Sequence, residues 1–313
     1  ICCSGRDMCL LDKQLVVYKS FTSDSSDVSC IAYTSFDKRQ LIASGDRKGV
    51  VLFYELRIDL SEIILSARFD TGDGGWYVSI SNVSFRPEGK SIVATNRLRE
   101  CYIFSLVDKS CICKLMGERV VPPGSWGGPY VLASAFSPDG HSLASVMEGR
   151  PFIHFWRLDQ DKTQELIGHE SSTDIIGRQE FWIGSLSFSP CGKYLASAAN
   201  DCTVRIWDVQ KNDIQCTKII DVPVALRSLT FSPDSTFIAG GCANGIVQVW
   251  NIAVEDPDSV ATNIATYSFD KSSIKLLTFL CDSKSIVTTS WSDFTVTLWP
   301  AIDAVPSGTD TRE

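Results

Sequence analysis

Residues 182–209 read WIGSLSFSPCGKYLASAANDCTVRIWDV, and three short strands with two tight turns account for the order of residue types in that stretch. Small and large side chains alternate from Ile183 to Phe188, which suits a strand packed on both faces. Ser189-Pro190-Cys191-Gly192 is a turn, because proline presets φ and glycine accepts φ > 0. Tyr194 to Ala198 form a second apolar run that breaks at Asn200-Asp201. Thr203 to Val209 alternate again and end in Trp207-Asp208. Strands this short in direct succession make an antiparallel meander, with a fourth strand expected outside.

Weaker copies of this unit recur along the chain. An aromatic residue closes each one, at Tyr54, Phe104, Trp156, Trp207, Trp250 and Trp299, at intervals of 50, 52, 51, 43 and 49 residues. Self-similarity at that period means a stack of like modules, each too thin to bury a core alone. The units run over residues 28–69, 78–116, 130–167, 182–221, 224–269 and 272–299.

The succession FSP-x-G, LAS, ND-x-TV and IWD is similar to the pattern of the WD-repeat family. The resemblance implies an all-β fold, a β-propeller of four-stranded antiparallel blades. It also implies a buried hydrogen-bonded set within a blade, here His169, Ser197, Asp201 and Trp207. Loss of any one member is expected to cost about 1–3 kcal/mol, because its partner is left buried and unpaired. The fit is uneven. The unit at 272–299 keeps Thr288, Asp293 and Trp299 without a Gly-His, and the unit at 224–269 has Gly240 and Asn244 where Ser and Asp belong.

Two placements are open for the N-terminal residues. Ile1–Gly5, Met8–Leu11 and Gln14–Phe21 are the second, third and outer strands of a seventh, incomplete blade, which is the favoured count. In the alternative, Gln14–Phe21 closes a six-bladed ring as the outer strand of the last blade. In the first case the strands of residues 1–21 close the ring, and in the second Gln14–Phe21 closes it while the first residues hang free. Closure removes the exposed edges of an open sheet, and residues 300–313 are a polar tail. The chain opens at Ile1 rather than Met, and the expectation is a piece of a larger chain or complex.

Composition excludes several function classes. Apolar residues make up 44% and charged ones 21%, ordinary for a soluble globular protein. The net charge of −8 argues against a nucleic-acid or anionic-membrane binder, which would need a basic face. No apolar run is long enough for a membrane helix, and no signal peptide is visible. The twelve cysteines show no zinc-ligand spacing and read as reduced thiols of an intracellular protein, cytoplasmic or nuclear. His141, His154 and His169 have no partner at metal-ligand spacing, and Walker A, Gly-x-Ser-x-Gly and dinucleotide fingerprints are absent. Neither a catalytic residue, a metal nor a cofactor is expected.

What remains is an interaction scaffold. In similar propellers the loops entering the innermost strands and the first residues of those strands face one rim, where partners dock. Trp182 and Tyr130 each lie six residues before the phenylalanine of their innermost strand, and Trp76 and Trp126 lie in the entering loops. Tryptophan and tyrosine suit contact surfaces because they bury a large area at low entropic cost. Arg227 and Lys275 occupy equivalent places two positions further on, a local basic spot suited to an acidic or phosphorylated peptide or protein. Asn200 and Ser292 complete the rim. Three alternatives stand beside a free scaffold: the C-terminal sensor propeller of a larger signalling protein, a lipid-binding propeller and a propeller enzyme. The lipid-binding motif Phe-Arg-Arg-Gly is absent, and the sequence offers no converging catalytic groups.

Overall fold

The computed structural model describes residues 2–4, 6–11, 17–23, 27–37, 39–56, 62–71, 78–96, 100–116, 131–147, 151–158, 160, 162–169, 182–242, 244–252, 261–268, 273–280, 282–290 and 295–300. No α-helix occurs among them; the regular structure is β-strand. The chain divides into two compact units, Ile1–Glu165 and Leu166–Glu313.

In the first unit, β1 (Cys2–Ser4), β2 (Asp7–Leu11) and β3 (Val17–Thr22) form a three-stranded sheet. Four-stranded sheets follow, from β4 (Val28–Phe36), β5 (Arg39–Asp46), β6 (Val50–Leu56) and β7 (Ile63–Asp70), then from β8 (Ile80–Phe85), β9 (Ser91–Asn96), β10 (Glu100–Ser105) and β11 (Ser110–Met116). The last sheet holds β12 (Val131–Phe136), β13 (Ser142–Met147), β14 (Phe152–Arg157) and β15 (Lys162–Ile167), which runs just past the unit boundary. The second unit has two four-stranded sheets and one of three. They are β16 (Ile183–Phe188) to β19 (Gln215–Asp221) through β17 (Tyr194–Ala199) and β18 (Thr203–Asp208); β20 (Leu226–Phe231) to β23 (Thr262–Ser268) through β21 (Phe237–Cys242) and β22 (Ile246–Asn251); and β24 (Ile274–Phe279), β25 (Ser285–Ser290) and β26 (Val296–Pro300). Strand order follows chain order in every sheet and the pairings are antiparallel, as in the four-stranded blades of a propeller. The described part of the Gln14–Phe21 segment pairs with β2, Met8 opposite Phe21, in a sheet of its own.

The alternation read from Ile183 to Phe188 needs one correction. Ile183 pairs with Ala199 and Ser185 with Ala198, so Gly184 is an unpaired extra residue, a β-bulge. The bulge resets the parity, placing Ile183 on the same face as Leu186 and Phe188 instead of opposite them, and all three are buried. The same irregularity opens every other innermost strand, leaving out Ser29, Ser81, Leu132, Arg227 and Lys275. A second bulge lies in the outer strand opposite the anchor aromatic, at Tyr54, Phe104, Trp207 and Trp250.

Neighbouring sheets within a unit bury their facing surfaces against each other. In the first, Leu41, Val51, Phe53 and Phe69 of one sheet meet Ile80, Phe85, Ile92 and Phe104 of the next. In the second, Tyr194, Val204 and Ile206 meet Leu226, Phe231, Ile238 and Trp250. Burial at about 25 cal/mol per Å² makes such faces the main source of stability. Polar links pin the innermost strands to one another. The Ser185 and Ser187 hydroxyls accept from the backbone N–H groups of Leu229 (3.0 Å) and Phe231 (3.3 Å), which lie on the unpaired edge of β20. The turn serines do local work: Ser137, Ser189 and Ser232 each accept, through Oγ, the N–H five residues on.

Candidate interaction surface

The repeat's polar residues converge in the second unit. β17 carries Ser197, β18 carries Trp207, the turn between them carries Asp201, and His169 follows β15. Trp207 Nε1 donates to Ser197 Oγ at 2.9 Å, and Ser197 Oγ lies 2.7 Å from His169 Nε2. His169 Nδ1 lies 2.8 Å from Asp201 Oδ2. An ionised carboxylate only accepts, so His169 Nδ1 carries a proton and donates to Asp201, and the hydrogen-bonded chain links indole, hydroxyl, imidazole and carboxylate. Thr203, which the sequence reading left out, completes it: its N–H and hydroxyl reach Asp201 Oδ1 at 3.0 and 2.8 Å. The quoted ND-x-TV motif held that signal.

Burial alone would raise the Asp201 carboxyl. The His169 hydrogen bond, its charge interaction with His169 and the Thr203 hydrogen bonds outweigh burial and hold it below its ordinary value. Gly168 has a steric reason: a Cβ there would stand 2.9 Å from Trp207 Cη2 and 3.0 Å from Arg205 Nη1. These groups are buried or half-buried and brace the sheet; their geometry is that of a support.

The other sheets solve the same problem differently. Trp299 Nε1 donates to Thr288 Oγ1 at 2.9 Å, while Asp293 lies outside the described residues. In the sheet of β8 to β11, Glu100 gathers Asn96 Nδ2 at 2.9 Å, the Tyr102 hydroxyl at 2.7 Å and the Lys114 ammonium at 2.6 Å.

At the entrance of β16, Trp182, Asn200 and Arg227 come together. Trp182 N donates to Asn200 Oδ1 at 3.0 Å and Asn200 N donates to Trp182 O at 3.1 Å, so the residue before β16 is locked to the turn after β17. The Arg227 guanidinium carbon lies 5.5 Å from the centroid of the Trp182 ring, within cation–π range. Trp182 and Asn200 are half-buried and Arg227 is exposed. Among the described residues no carboxylate pairs with Arg227. Lys275 occupies the corresponding bulge in β24, one sheet further on. Tyr130, Ser292, Trp76 and Trp126 lie outside the described residues. Gly184, which the sequence reading did not single out, lies beneath the Trp182 ring.

No group of three or more His, Cys, Asp or Glu side chains fit to hold a metal ion occurs among the described residues. Nor, among them, is any helix long and apolar enough to cross a membrane.

The sequence pattern of the WD domain, G-beta repeat, matches residues 161–208 and 215–251, the sheets that carry the His169 set and Trp250. Over these stretches the chain carries WD repeats. Its WD repeats are similar to those of curated proteins. A WD40 repeat-containing protein of Dictyostelium discoideum is 35% identical over 72 residues, covering 23% of this chain and 10% of that protein. Nuclear distribution protein nudF of Aspergillus niger is 26% identical over 149 residues, 44% of this chain and 31% of nudF. The target of rapamycin complex subunit LST8 of Mus musculus is 26% identical over 92 residues, 29% of this chain and 26% of LST8. The matches thus span between a tenth and a third of those relatives' lengths.

Proposed function

We propose that this WD-repeat chain is a non-catalytic interaction platform that docks a peptide or protein partner on the strand entrances around Trp182, Asn200 and Arg227. One observation carries the reading: an indole, an amide and a guanidinium from three separate strand ends converge on one accessible spot, with Arg227 lacking a carboxylate partner among the described residues. The bracing residues of the hydrogen-bonded set, His169 and Trp207 for instance, are buried instead. The family supports a binding role, and one relative is by name a complex subunit. The mechanism is presentation. Braced sheets hold the contact groups in place, so the partner pays little ordering cost on the receptor side. The guanidinium favours an acidic or phosphorylated partner, and Tyr130, Lys275, Ser292, Trp76 and Trp126 are the candidates to extend the surface.

Capture from a cell extract by the wild type, by the Trp182→Ala/Arg227→Ala double variant and by Lys211→Ala tests this. A partner retained by Lys211→Ala and lost with the double variant, at unchanged urea midpoint, is the expected result. Identical partner sets from all three would remove the surface from consideration. A destabilisation of about 3 kcal/mol in Trp182→Ala would make the indole a packing residue.

A further inference from the structure

The residue left unpaired at the entry of the innermost strands is Ser29, Ser81, Leu132, Gly184, Arg227 or Lys275. Among these six, glycine occurs only in β16, and β16 is also where a tryptophan stands two residues ahead of the bulge. The coincidence has a steric cause. A Cβ on Gly184 would lie 2.4 Å from Trp182 Cζ3, 3.0 Å from Cε3 and 3.1 Å from the Leu226 carbonyl oxygen. The indole therefore occupies the space that any side chain at 184 would need. Gly184 is not among the residues with φ in the left-handed region, so its lack of a side chain answers to the packing around it, the ring foremost, and not to its own φ.

The next sheet contributes the cation. Arg227 is the bulged residue of β20, and a bulge re-aims the side chain it carries. Its guanidinium lies over the ring that Gly184 admits. A guanidinium engaged through its face with an aromatic ring keeps its N–H edge for a planar or tetrahedral oxyanion.

We propose that Gly184 is the positioning residue of an oxyanion-reading site: it seats Trp182, Trp182 holds Arg227, and Arg227 binds the carboxylate or phosphoryl oxygens of a partner's side chain. The inference rests on the docking surface proposed above and adds the residue that poses the reading guanidinium and the oxygens it reads. A long side chain already held in one pose loses less freedom on binding than a free one, so the seat raises affinity without touching the ligand.

The test uses the whole chain and inorganic phosphate as probe, read by NMR at the Trp182 indole N–H and the Arg227 Nε–H. Saturable shifts at both signals are expected, lost in Arg227→Met. Gly184→Ala is expected to weaken binding about tenfold at an unchanged urea midpoint, and Trp182→Phe, a smaller ring on the same seat, to stay within about threefold of the wild type. Should Gly184→Ala fail to fold, Arg227→Lys keeps the charge, loses the planar fork, and is expected to lose about the same factor. N-acetyl-phosphoserine amide and N-acetyl-glutamate amide, compared in parallel, tell a phosphorylated from an acidic side chain, and a preference for either supports the site. Wild-type affinity in Gly184→Ala overturns the positioning role while leaving the docking surface intact. No saturable response to phosphate or to either amide overturns the oxyanion site, and the capture experiment then decides the docking surface separately.

Discussion

Replacing Ser197 by alanine tests the support of the whole second unit. Ser197 is fully buried, and its one oxygen serves two partners, Trp207 Nε1 at 2.9 Å and His169 Nε2 at 2.7 Å. Deleting it strands an indole N–H and an imidazole nitrogen in a fully buried place. Each stranded group costs about 1–3 kcal/mol. The two share one site and relax together, so the expected loss is about 2–4 kcal/mol, far more than a surface serine would show. Urea unfolding followed by tryptophan fluorescence gives the free energy, with an unchanged m-value as the sign that the unfolded state is the same. Trp207→Phe supplies an internal check. Once the indole N–H is gone, Ser197→Ala strands only one group, so its cost in that background should fall by about 1 kcal/mol or more. A loss under about 0.5 kcal/mol for Ser197→Ala, or a strictly additive double variant, would refute the claim that this hydroxyl joins the two rings.

Two further outcomes follow from acid–base chemistry. Asp201 is held below its ordinary value in the folded chain, so its contribution to stability is complete above about pH 4 and is lost as the pH falls through the folded value. Asp201→Asn should flatten that acid limb in a plot of urea midpoint against pH, and parallel curves would contradict it. Among the thiols, burial, with Cys202 adding to it, pushes Cys242 up to about 11. Burial also raises Cys191, but hydrogen bonds from Ser189, Lys193, Ser235 and its own backbone outweigh it and leave this exposed thiol below its ordinary value. Iodoacetamide near pH 7 should therefore label Cys191 at least about tenfold faster than Cys242 by peptide mass spectrometry; equal rates in the folded chain would count against this.

The meander, its turns and its anchor aromatics were legible because each is a local matter of alternation, proline and glycine. Ser189-Pro190-Cys191-Gly192 announces a turn within four residues, and Trp207 and Trp250 sit where their period puts them, both buried. The bulge at Gly184 was not legible, since one surplus residue in a short strand leaves the apolar pattern readable in either parity. Ser185 and Ser187 looked like small fillers, and their bonds to Leu229 and Phe231 depend on a strand that begins some forty residues later. Glu100 was hidden for a related reason. Its network with Asn96, Tyr102 and Lys114 has no resemblance in sequence to the His169 set. Trp182 and Arg227 were each nominated on type and position, but the contact between them follows from how β16 and β20 pack, and no spacing encodes it.

The surplus residue at the mouth of each innermost strand answers to no counterpart across the ladder. The ladder sets no demand on its identity; what holds it is local, as where the Ser29 hydroxyl reaches Gly45 O and Ile80 O or where Gly184 leaves room for an indole. This chain holds two hydroxyls, a leucine, a glycine and two cations at those six places. On the proposed docking surface, altering what the protein grips is then a matter of respelling a few letters at the doorway, with the ladder behind them left as it is.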